Sequence, residues 1–181
     1  MLKGYHGWAG RALTALEAFE SCAEILKEYE IVVYLASPPV VEKVKSIQQS
    51  GKLNIRVLPR SPYQVILESF GKARIAMGIS KTDGAPISML EAMTMGAFPI
   101  QSDTESTAEW LMHETNGMLV DPESVSSIEQ ALRRALADDT LVDRAAEINL
   151  QLVSQKLDTG VVKPKGVAMY KSIVHQAKGE I

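Results

Sequence analysis

The chain has 181 residues, of which 46% are hydrophobic and 23% are charged, and its formal net charge is -3. This balance is typical of a folded domain with a hydrophobic core, and it does not indicate nucleic acid or a membrane surface as a binding partner. No apolar run reaches membrane-spanning length and no signal peptide is evident, so a cytoplasmic location is expected.

The first predicted element is a long amphipathic helix over residues 8–29, where apolar residues recur every three to four positions. Cys22 lies in this helix and is the only cysteine, which excludes an internal disulfide and a multi-cysteine metal site. We expect it to be a small buried side chain. The β-branched and aromatic run at residues 31–35 then predicts a strand that is buried on both faces.

Short apolar runs and helical segments alternate along the rest of the chain. Further strands are predicted at residues 54–58, 74–79, 98–101 and 117–120, and further helices at residues 40–49, 61–71 and 86–95. Capping-box sequences at residues 106–109 and 126–129 predict two helix starts, and the chain is then helical to near Lys178 with an interruption around residues 158–166. This alternation predicts an α/β fold, a Rossmann-like open parallel sheet with helices on both faces, formed by residues 1–181 as one domain.

The segment from Ser80 to Pro86 lies between a predicted strand and a predicted helix, where open parallel sheets bind their ligands. Gly84 permits a close backbone approach, and Pro86 suits the first turn of a helix whose free N–H groups favour an anion. Asp83 in the loop and Glu91 in the helix are therefore candidates for binding a hydroxyl-rich or anionic ligand. The alternatives, in which Asp83 stabilises the helix start and Glu91 is a solvated helix residue, stay open on this evidence.

An ordered set of motifs extends over nearly the whole chain. It consists of Lys3-Gly4, Asp83-Gly84-Ala85-Pro86, Leu90-Glu91-Ala92-Met93, Gly96, Pro99-Ile100, Glu109 and Asn116-Gly117-Met118-Leu119-Val120-Asp121-Pro122. This order resembles the donor-binding signature of the family 4 glycosyltransferases, which have the two-domain GT-B architecture. The resemblance implies one half of a GT-B fold and transfer of a sugar from a nucleotide-diphosphate sugar to an acceptor hydroxyl with retention of configuration.

The resemblance also implies roles for particular residues. Asp83 and Glu91 match the catalytic acidic pair, of which Asp83 is expected to approach the donor sugar and Glu91 to hold the ribose hydroxyls. Lys3 is expected to neutralise the diphosphate as the glycosidic bond breaks. The backbone positions expected to face the sugar and the phosphates are Gly84, Ala85, Pro86 and Ile87. The segment from Leu58 to Ser61, at the end of a predicted strand, is a candidate for contact with the base.

The expected partners are a nucleotide sugar, an acceptor glycan, lipid or other hydroxyl compound, and an N-terminal GT-B domain that can also provide a peripheral membrane contact. No metal or other cofactor is expected, and the scattered histidines His6, His113 and His175 are expected to be surface or packing residues. Without the other domain, the chain is expected to bind donor weakly and to transfer little or no sugar. A C-terminal helix from about residue 160, clearest over residues 167–178, is expected to pack on that domain and to expose Met169 and Tyr170.

Three positions depart from the family pattern. Asp83 is one methylene shorter than the usual Glu, and Ser106-Thr107-Ala108 stands where the family often has paired glycines. The Arg that usually precedes the family's Lys would lie before residue 1, so either it is missing because the segment is truncated or Arg11 supplies the charge from the next helix. Arg11 is otherwise expected to be an ordinary exposed helix residue.

Three other functions are consistent with a fold of this class. The first is a noncatalytic nucleotide- or sugar-binding module, and the second is a relative that hydrolyses or epimerises its nucleotide sugar. The third, a dinucleotide-binding redox domain, is disfavoured because no Gly-x-Gly-x-x-Gly follows any predicted strand.

Overall fold

The computed structural model describes residues 1–177, which form six strands and eight helices. The strands are β1 (Leu2–Lys3), β2 (Ile31–Tyr34), β3 (Ile55–Val57), β4 (Ile75–Gly78), β5 (Phe98–Ser102) and β6 (Met118–Val120). The helices are α1 (Ala12–Ser21), α2 (Pro38–Ser50), α3 (Tyr63–Gly71), α4 (Ile87–Thr94), α5 (Glu105–Ala108), α6 (Val125–Ala137), α7 (Asp139–Leu157) and α8 (Thr159–Ala177). All paired strands are parallel, in the order β3-β2-β1-β4-β5-β6, which confirms the predicted α/β class.

Helices cover both faces of the sheet. The helix α1 contacts α2 and α6 on one face, while α4 contacts α3 and α7 on the other. Buried aliphatic and aromatic side chains fill both layers, and the strands β2, β4 and β5 are buried along almost their full length. Strands buried on both faces are apolar throughout, which is why the short unbroken runs in the sequence predict them.

The strand order reverses between β1 and β4. From β1 the chain moves outward through β2 to β3, then returns to β4 beside β1 and continues outward to β6. Loops that leave β1 and β4 therefore diverge on opposite sides and leave a crevice at their carboxyl ends. The crevice forms the ligand site in open sheets of this kind.

The beginning of the chain differs from the prediction. The strand β1 has only two residues, too few for a periodic pattern, and it was not predicted. The first helix begins at Ala12 instead of near residue 8, because residues 4–11 form a loop that folds back on itself. A Cβ atom on Gly10 would overlap the carbonyl oxygen of Tyr5, so this fold of the loop requires glycine there. Cys22 is fully buried, as expected.

Two helix starts lie two residues before their predicted positions. The hydroxyl of Thr104 accepts a hydrogen bond from the N–H of Thr107, and that of Ser124 accepts one from the N–H of Ser127. These residues cap α5 and α6. Each predicted capping box lies two residues too late because several hydroxyl residues in succession offer equivalent caps.

The C-terminal helices are interrupted at single residues. Asp138 separates α6 from α7 and caps α7, since its Oδ1 accepts from the N–H of Leu141 at 2.8 Å. Asp158 separates α7 from α8, whereas Pro164 lies inside α8 instead of breaking it. The helix α8 exposes a series of large apolar side chains, as expected for Met169 and Tyr170: Val162, Val167, Met169, Tyr170, Ile173 and Val174. The predicted end of this helix, Lys178, lies outside the described residues.

A buried amide pair fastens α7 to the loop before β6. Asn149 is 0% exposed, and its Nδ2 donates to the carbonyl of Asn116 at 2.9 Å. The Nδ2 of Asn116 donates in turn to the Oδ1 of Asn149 at 2.9 Å and to the carbonyl of Trp110 at 3.0 Å. Each amide therefore has protein partners in the core. No helix formed by residues 1–177 combines the length and the apolarity required to span a bilayer.

Candidate functional site

Two loops meet at the carboxyl edge of the sheet. The β1–α1 loop and the β4–α4 loop are joined by hydrogen bonds from the Arg11 N–H to the Ile79 carbonyl at 2.8 Å and from the Lys81 N–H to the Ala9 carbonyl at 2.9 Å. The Ser80 N–H is held by the hydroxyl of Ser102 at 2.8 Å. The loops therefore form one connected wall above the point where the strand order reverses.

A cavity of about 180 Å³ lies against this wall. Its polar lining comes from the ends of three strands and the start of α4, and includes Lys3, Ser80, Thr82, Asp83, Ser88 and Gln101. The sequence analysis placed Lys3 and Asp83 at the donor site, and the structure brings these two residues together. Opposite charges in one cavity suit a ligand that carries both an anionic group and hydroxyls.

Lys3 is the last residue of β1 and is half-buried. Within residues 1–177, its ammonium forms no salt bridge or hydrogen bond. A partly buried cation without a counter-ion raises the local positive potential, which favours an anion in the cavity.

Arg11 has a structural role instead of supplying charge to this cavity. Its Nε pairs with Glu123 at 2.8 Å, and its Nη1 donates to the carbonyls of Gly7 at 3.0 Å and Gly10 at 2.9 Å. Lys81 pairs with the same Glu123 carboxylate at 2.9 Å. Hydrogen bonds from Lys81 and Arg11 hold the pKa of Glu123 below its usual range. The three residues tie together the loops that follow β1, β4 and β6.

The loop from Asp83 to Ile87 leads into α4. The Asp83 side chain is exposed, while its carbonyl accepts a hydrogen bond from the Ser106 hydroxyl at 2.9 Å. A serine in the segment that replaces the family's glycines thus contacts this loop through its hydroxyl.

Of the four predicted backbone positions, two offer N–H groups. Pro86 has no N–H, and the N–H of Ile87 donates to the Ala85 carbonyl at 2.8 Å. The N–H groups of Gly84 and Ala85 have no acceptor in the part of the chain that the structure describes. Among the four predicted positions, only Gly84 and Ala85 therefore have an N–H group open to an anion, and N–H contacts across all four positions are excluded.

Glu91 lies further along α4 and does not line the cavity. Its Oε1 accepts a hydrogen bond from the hydroxyl of Tyr63 in α3 at 2.9 Å, and this bond raises the pKa of Tyr63. Nearer the cavity, burial raises the pKa of Tyr34 to about 12, although a hydrogen bond with Ser88 opposes the rise. The two predicted carboxylates therefore do not border one pocket, since Asp83 lines the cavity and Glu91 lies outside it beside Tyr63.

Sequence reasoning missed three polar residues of this region, namely Ser88, Gln101 and Tyr63. Gln101 gave a weak signal, as a polar residue near the carboxyl end of an otherwise apolar strand. Tyr63 gave none, since its contact with Glu91 joins positions 28 residues apart.

The remaining candidate residues lie away from the cavity. His6 and His113 each accept a hydrogen bond through Nδ1, from the N–H of Leu13 at 3.4 Å and of Leu119 at 3.1 Å, in keeping with the packing role expected of them. The segment 58–61, a candidate for contact with the base, follows β3 and precedes Tyr63. Among residues 1–177, no three His, Cys, Asp or Glu side chains form a cluster suited to a metal ion.

A larger cavity of about 410 Å³ lies at the opposite, amino-terminal edge of the sheet. Its walls are mostly apolar, and its guanidinium groups are already paired. Arg56 pairs with Glu30 at 2.8 Å, and Arg74 pairs with Asp139 at 2.7 Å. We favour the smaller cavity as the functional site, because it lies at the strand reversal and its charged groups remain available to a ligand.

Comparison with known proteins finds one matching family. The family model for glycosyl transferases group 1 matches residues 12–151. No curated protein sequence matches the chain significantly.

Several solved structures share the fold. The C-terminal domain of a glycosyl transferase group 1 family protein (LpcC) from Francisella tularensis superposes with a TM-score of 0.68 at 23% identity, covering 81% of this chain and 80% of that domain. HepE from Anabaena, in complex with UDP and glucose, has a TM-score of 0.76 at 16% identity over 94% of this chain. A variant of S. aureus TarM, in complex with fondaparinux, alpha-GlcNAc-glycerol and UDP, has a TM-score of 0.76 at 11% identity over 93% of this chain.

At these identities the likeness shows the fold. The chain spans 47% of the HepE chain and 34% of the TarM chain, so those two proteins are two to three times as long.

Proposed function

This chain belongs to the group 1 glycosyl transferases, and from that premise we propose that its described residues form most of the donor-binding half of a retaining glycosyltransferase. The enzyme would transfer a sugar from a nucleotide-diphosphate sugar to the hydroxyl of a glycan, a lipid or another acceptor. The acceptor site would belong largely to a second, N-terminal domain of the GT-B fold. No metal is required in this proposal, and a cytoplasmic location stays a prediction.

The observation that carries the proposal is the unpaired ammonium of Lys3 in the same cavity as Asp83. A folded protein normally pairs a half-buried charge, because an unpaired one costs free energy. A bound diphosphate would supply the missing counter-ion. The open N–H groups of Gly84 and Ala85 lie in the loop that borders the same cavity and would add to the binding.

The chemistry follows from where negative charge develops. As the bond between the anomeric carbon and the diphosphate breaks, charge builds on the departing oxygen, and Lys3 would stabilise it more in the transition state than in the ground state. The acceptor oxygen then forms the new bond to the anomeric carbon, and its proton leaves with the diphosphate. Asp83 would approach the sugar, while Glu91 would accept hydrogen bonds from the ribose hydroxyls.

A noncatalytic binding module is the second candidate, and the short side chain of Asp83 is the observation that favours it. Aspartate reaches one methylene less far than glutamate, so its carboxylate would contact the sugar only if the loop approached more closely or a water intervened. Analysis of the products of the full-length protein separates the two functions. Transferred sugar with a retained anomeric configuration supports the enzyme, free sugar indicates a hydrolase, and no product indicates the binding module.

The direct test is calorimetric titration of the chain with UDP, GDP and ADP and with UDP-glucose, GDP-mannose and ADP-glucose. We expect saturable, weak binding of one nucleotide and its conjugate, and a loss of at least about tenfold in affinity in the double variant Asp83→Ala/Glu91→Ala. The matched control, Asp143→Ala/Glu147→Ala, removes two exposed carboxylates of α7 and should bind as the wild type does. Binding that is equal in all three proteins would place the nucleotide elsewhere and contradict the proposal.

A further inference from the structure

Gln101 lies inside the cavity that the proposed function assigns to the donor. It is the fourth residue of β5, pairs in register with Gly78 of β4, and lines the cavity together with Lys3 and Asp83. Polar side chains are uncommon in buried parallel strands, because the faces of such a sheet are covered by apolar layers. The position of this amide therefore requires an explanation.

The hydrogen-bonding capacity of the Gln101 amide is unmet by the protein. The residue is only 9% exposed, yet its side chain forms no hydrogen bond with any residue in the range 1–177. Neither amide atom is completely enclosed, since no buried side-chain polar atom of the described chain lacks a partner. The exposed part of the amide therefore faces the cavity that it lines.

The absence of a side chain at Gly78 leaves room for the Gln101 amide. A Cβ atom placed on Gly78 would lie 2.7 Å from the Gln101 Oε1 and 3.3 Å from its Nε2, so the amide lies directly against the backbone of the neighbouring strand. A residue larger than glycine at position 78 would have to displace this amide.

We infer that Gln101 determines specificity by forming hydrogen bonds with the sugar of the nucleotide-sugar donor. This inference rests on the proposed function. A primary amide has two donor hydrogens and one acceptor oxygen, which match hydroxyl groups that both donate and accept. A diphosphate has acceptors only, and Lys3 already provides the cation that suits it. The cavity volume of about 180 Å³ is below the roughly 300–1,000 Å³ of complete ligand sites, so the cavity takes one part of a donor.

The test compares a nucleoside diphosphate with its sugar conjugate, using whichever of the UDP/UDP-glucose, GDP/GDP-mannose and ADP/ADP-glucose pairs the chain binds. The variant Gln101→Met keeps the length of the side chain and removes its hydrogen bonds. We expect it to bind the diphosphate within about twofold of the wild type and the conjugate about 5- to 10-fold more weakly. The control Gln130→Met, on the exposed face of α6, should change neither affinity.

Nuclear magnetic resonance gives a second measurement that requires no folded variant. The side-chain NH₂ signals of Gln101 in the wild-type protein should shift on adding the conjugate and stay in place on adding the diphosphate. The NH₂ signals of Gln48, which already donates to the carbonyl of Ile55 at 2.8 Å, serve as the internal reference.

Two results would overturn the inference. In the first, the wild type binds both ligands through Glu91, but Gln101→Met weakens the binding of both equally or of neither, or the NH₂ signals respond equally to both ligands. The sugar role of Gln101 is then wrong, and the proposed donor site stands. If the wild type binds none of the six ligands, the proposed function fails and the inference fails with it.

Discussion

At the amino-terminal edge of the sheet, the Asn149 amide exchanges hydrogen bonds with Asn116, and Arg56 is paired with Glu30. At the carboxyl-terminal edge, Lys3 and the Gln101 amide have no partner within residues 1–177, although both are at least half-buried. The two edges belong to the same sheet and share its hydrophobic core. They differ in that the protein satisfies these groups at the amino-terminal edge but leaves Lys3 and the Gln101 amide open.

This difference distinguishes polar groups that stabilise the fold from polar groups that are available to bind a ligand. A satisfied buried polar group holds the fold together, and its removal leaves a partner unsatisfied at a cost in free energy. An unsatisfied group at a cavity contributes little to folding and remains available to a ligand. Substitutions of the paired groups should therefore change the free energy of unfolding, and those of Lys3 and Gln101 should change affinity.

The largest effect is expected for Lys3→Met. Loss of a charged hydrogen-bond donor to the diphosphate costs about 1.5–3 kcal/mol, so nucleoside diphosphate affinity should fall roughly 10- to 150-fold. Lys72→Met at the amino-terminal edge removes an exposed ammonium and is the control, with unchanged affinity in the same calorimetric titration. Equal affinities of Lys3→Met and the wild type would show that the open ammonium of Lys3 does not bind the diphosphate.

Asn149→Ala tests the contribution of the hydrogen-bonded amide pair at the amino-terminal edge to stability. The substitution leaves the amide and the carbonyl of Asn116 without their partner in the core. We expect a loss of about 2 kcal/mol in the free energy of unfolding and a Tm lower by roughly 4–8 °C. Thermal unfolding monitored by circular dichroism measures this. Gln101→Met should change the unfolding free energy by no more than about 0.5 kcal/mol, and similar losses in both variants would show that the two edges do not differ.

A smaller effect is expected for Tyr63→Phe, which removes the hydrogen bond to Glu91 and leaves the rest of the ring. Without it, the carboxylate is less well oriented toward the ribose, and nucleoside diphosphate affinity should fall about two- to fivefold. A 2′,3′-dideoxy diphosphate should bind to both proteins equally, since it lacks the hydroxyls that Glu91 would hold. Tyr170→Phe on α8, where the ring is exposed, is the matched control. A Tyr63→Phe loss that is identical for both ligands would contradict the orienting role.

The smallest effect is expected for Glu123→Gln and depends on pH. Because Lys81 and Arg11 hold the folded-state pKa of Glu123 below its usual value, the ion pairs stabilise the protein at neutral pH. This contribution is lost as the pH falls from the usual glutamate pKa through the depressed one. Near pH 7 the wild type should therefore have a slightly higher Tm than the variant, and the two should converge once the pH lies below the depressed pKa of Glu123. A difference that persists undiminished in acid would show that the carboxylate charge is not its source.

The fold was predictable where the pattern that indicates an element lies within a short window of sequence. The apolar runs of β2, β4 and β5 and the helical periodicity of α6 are visible in short windows of sequence, and they fix the class. The strand β1 has two residues and therefore no period, so its place at the centre of the sheet could not be predicted from its own sequence.

The positions of the candidate site residues were predictable where a motif contains them. Asp83 lies in the loop at the start of α4, as its spacing from Pro86 indicated, and Lys3 lines the same cavity. The contacts of Glu91 and Gln101, in contrast, come from residues in other elements of the fold. Tyr63 reaches Glu91 from another helix, and Gly78 contacts Gln101 from another strand. No pattern within one element contains these contacts, because each depends on how two elements pack.

The exposed apolar side chains of α8 have a practical consequence for all of these measurements. Environment-sensitive dyes such as those used in fluorescence melting assays bind contiguous apolar surface whether or not the protein has unfolded. With Met169 56% and Tyr170 69% exposed, the native chain offers such a surface at room temperature. A dye-based melting curve of this protein should therefore begin at a high signal and show a shallow transition. Chromatographic resins with apolar character should retain the chain for the same reason, and replacing Met169 and Tyr170 by serine should relieve both effects.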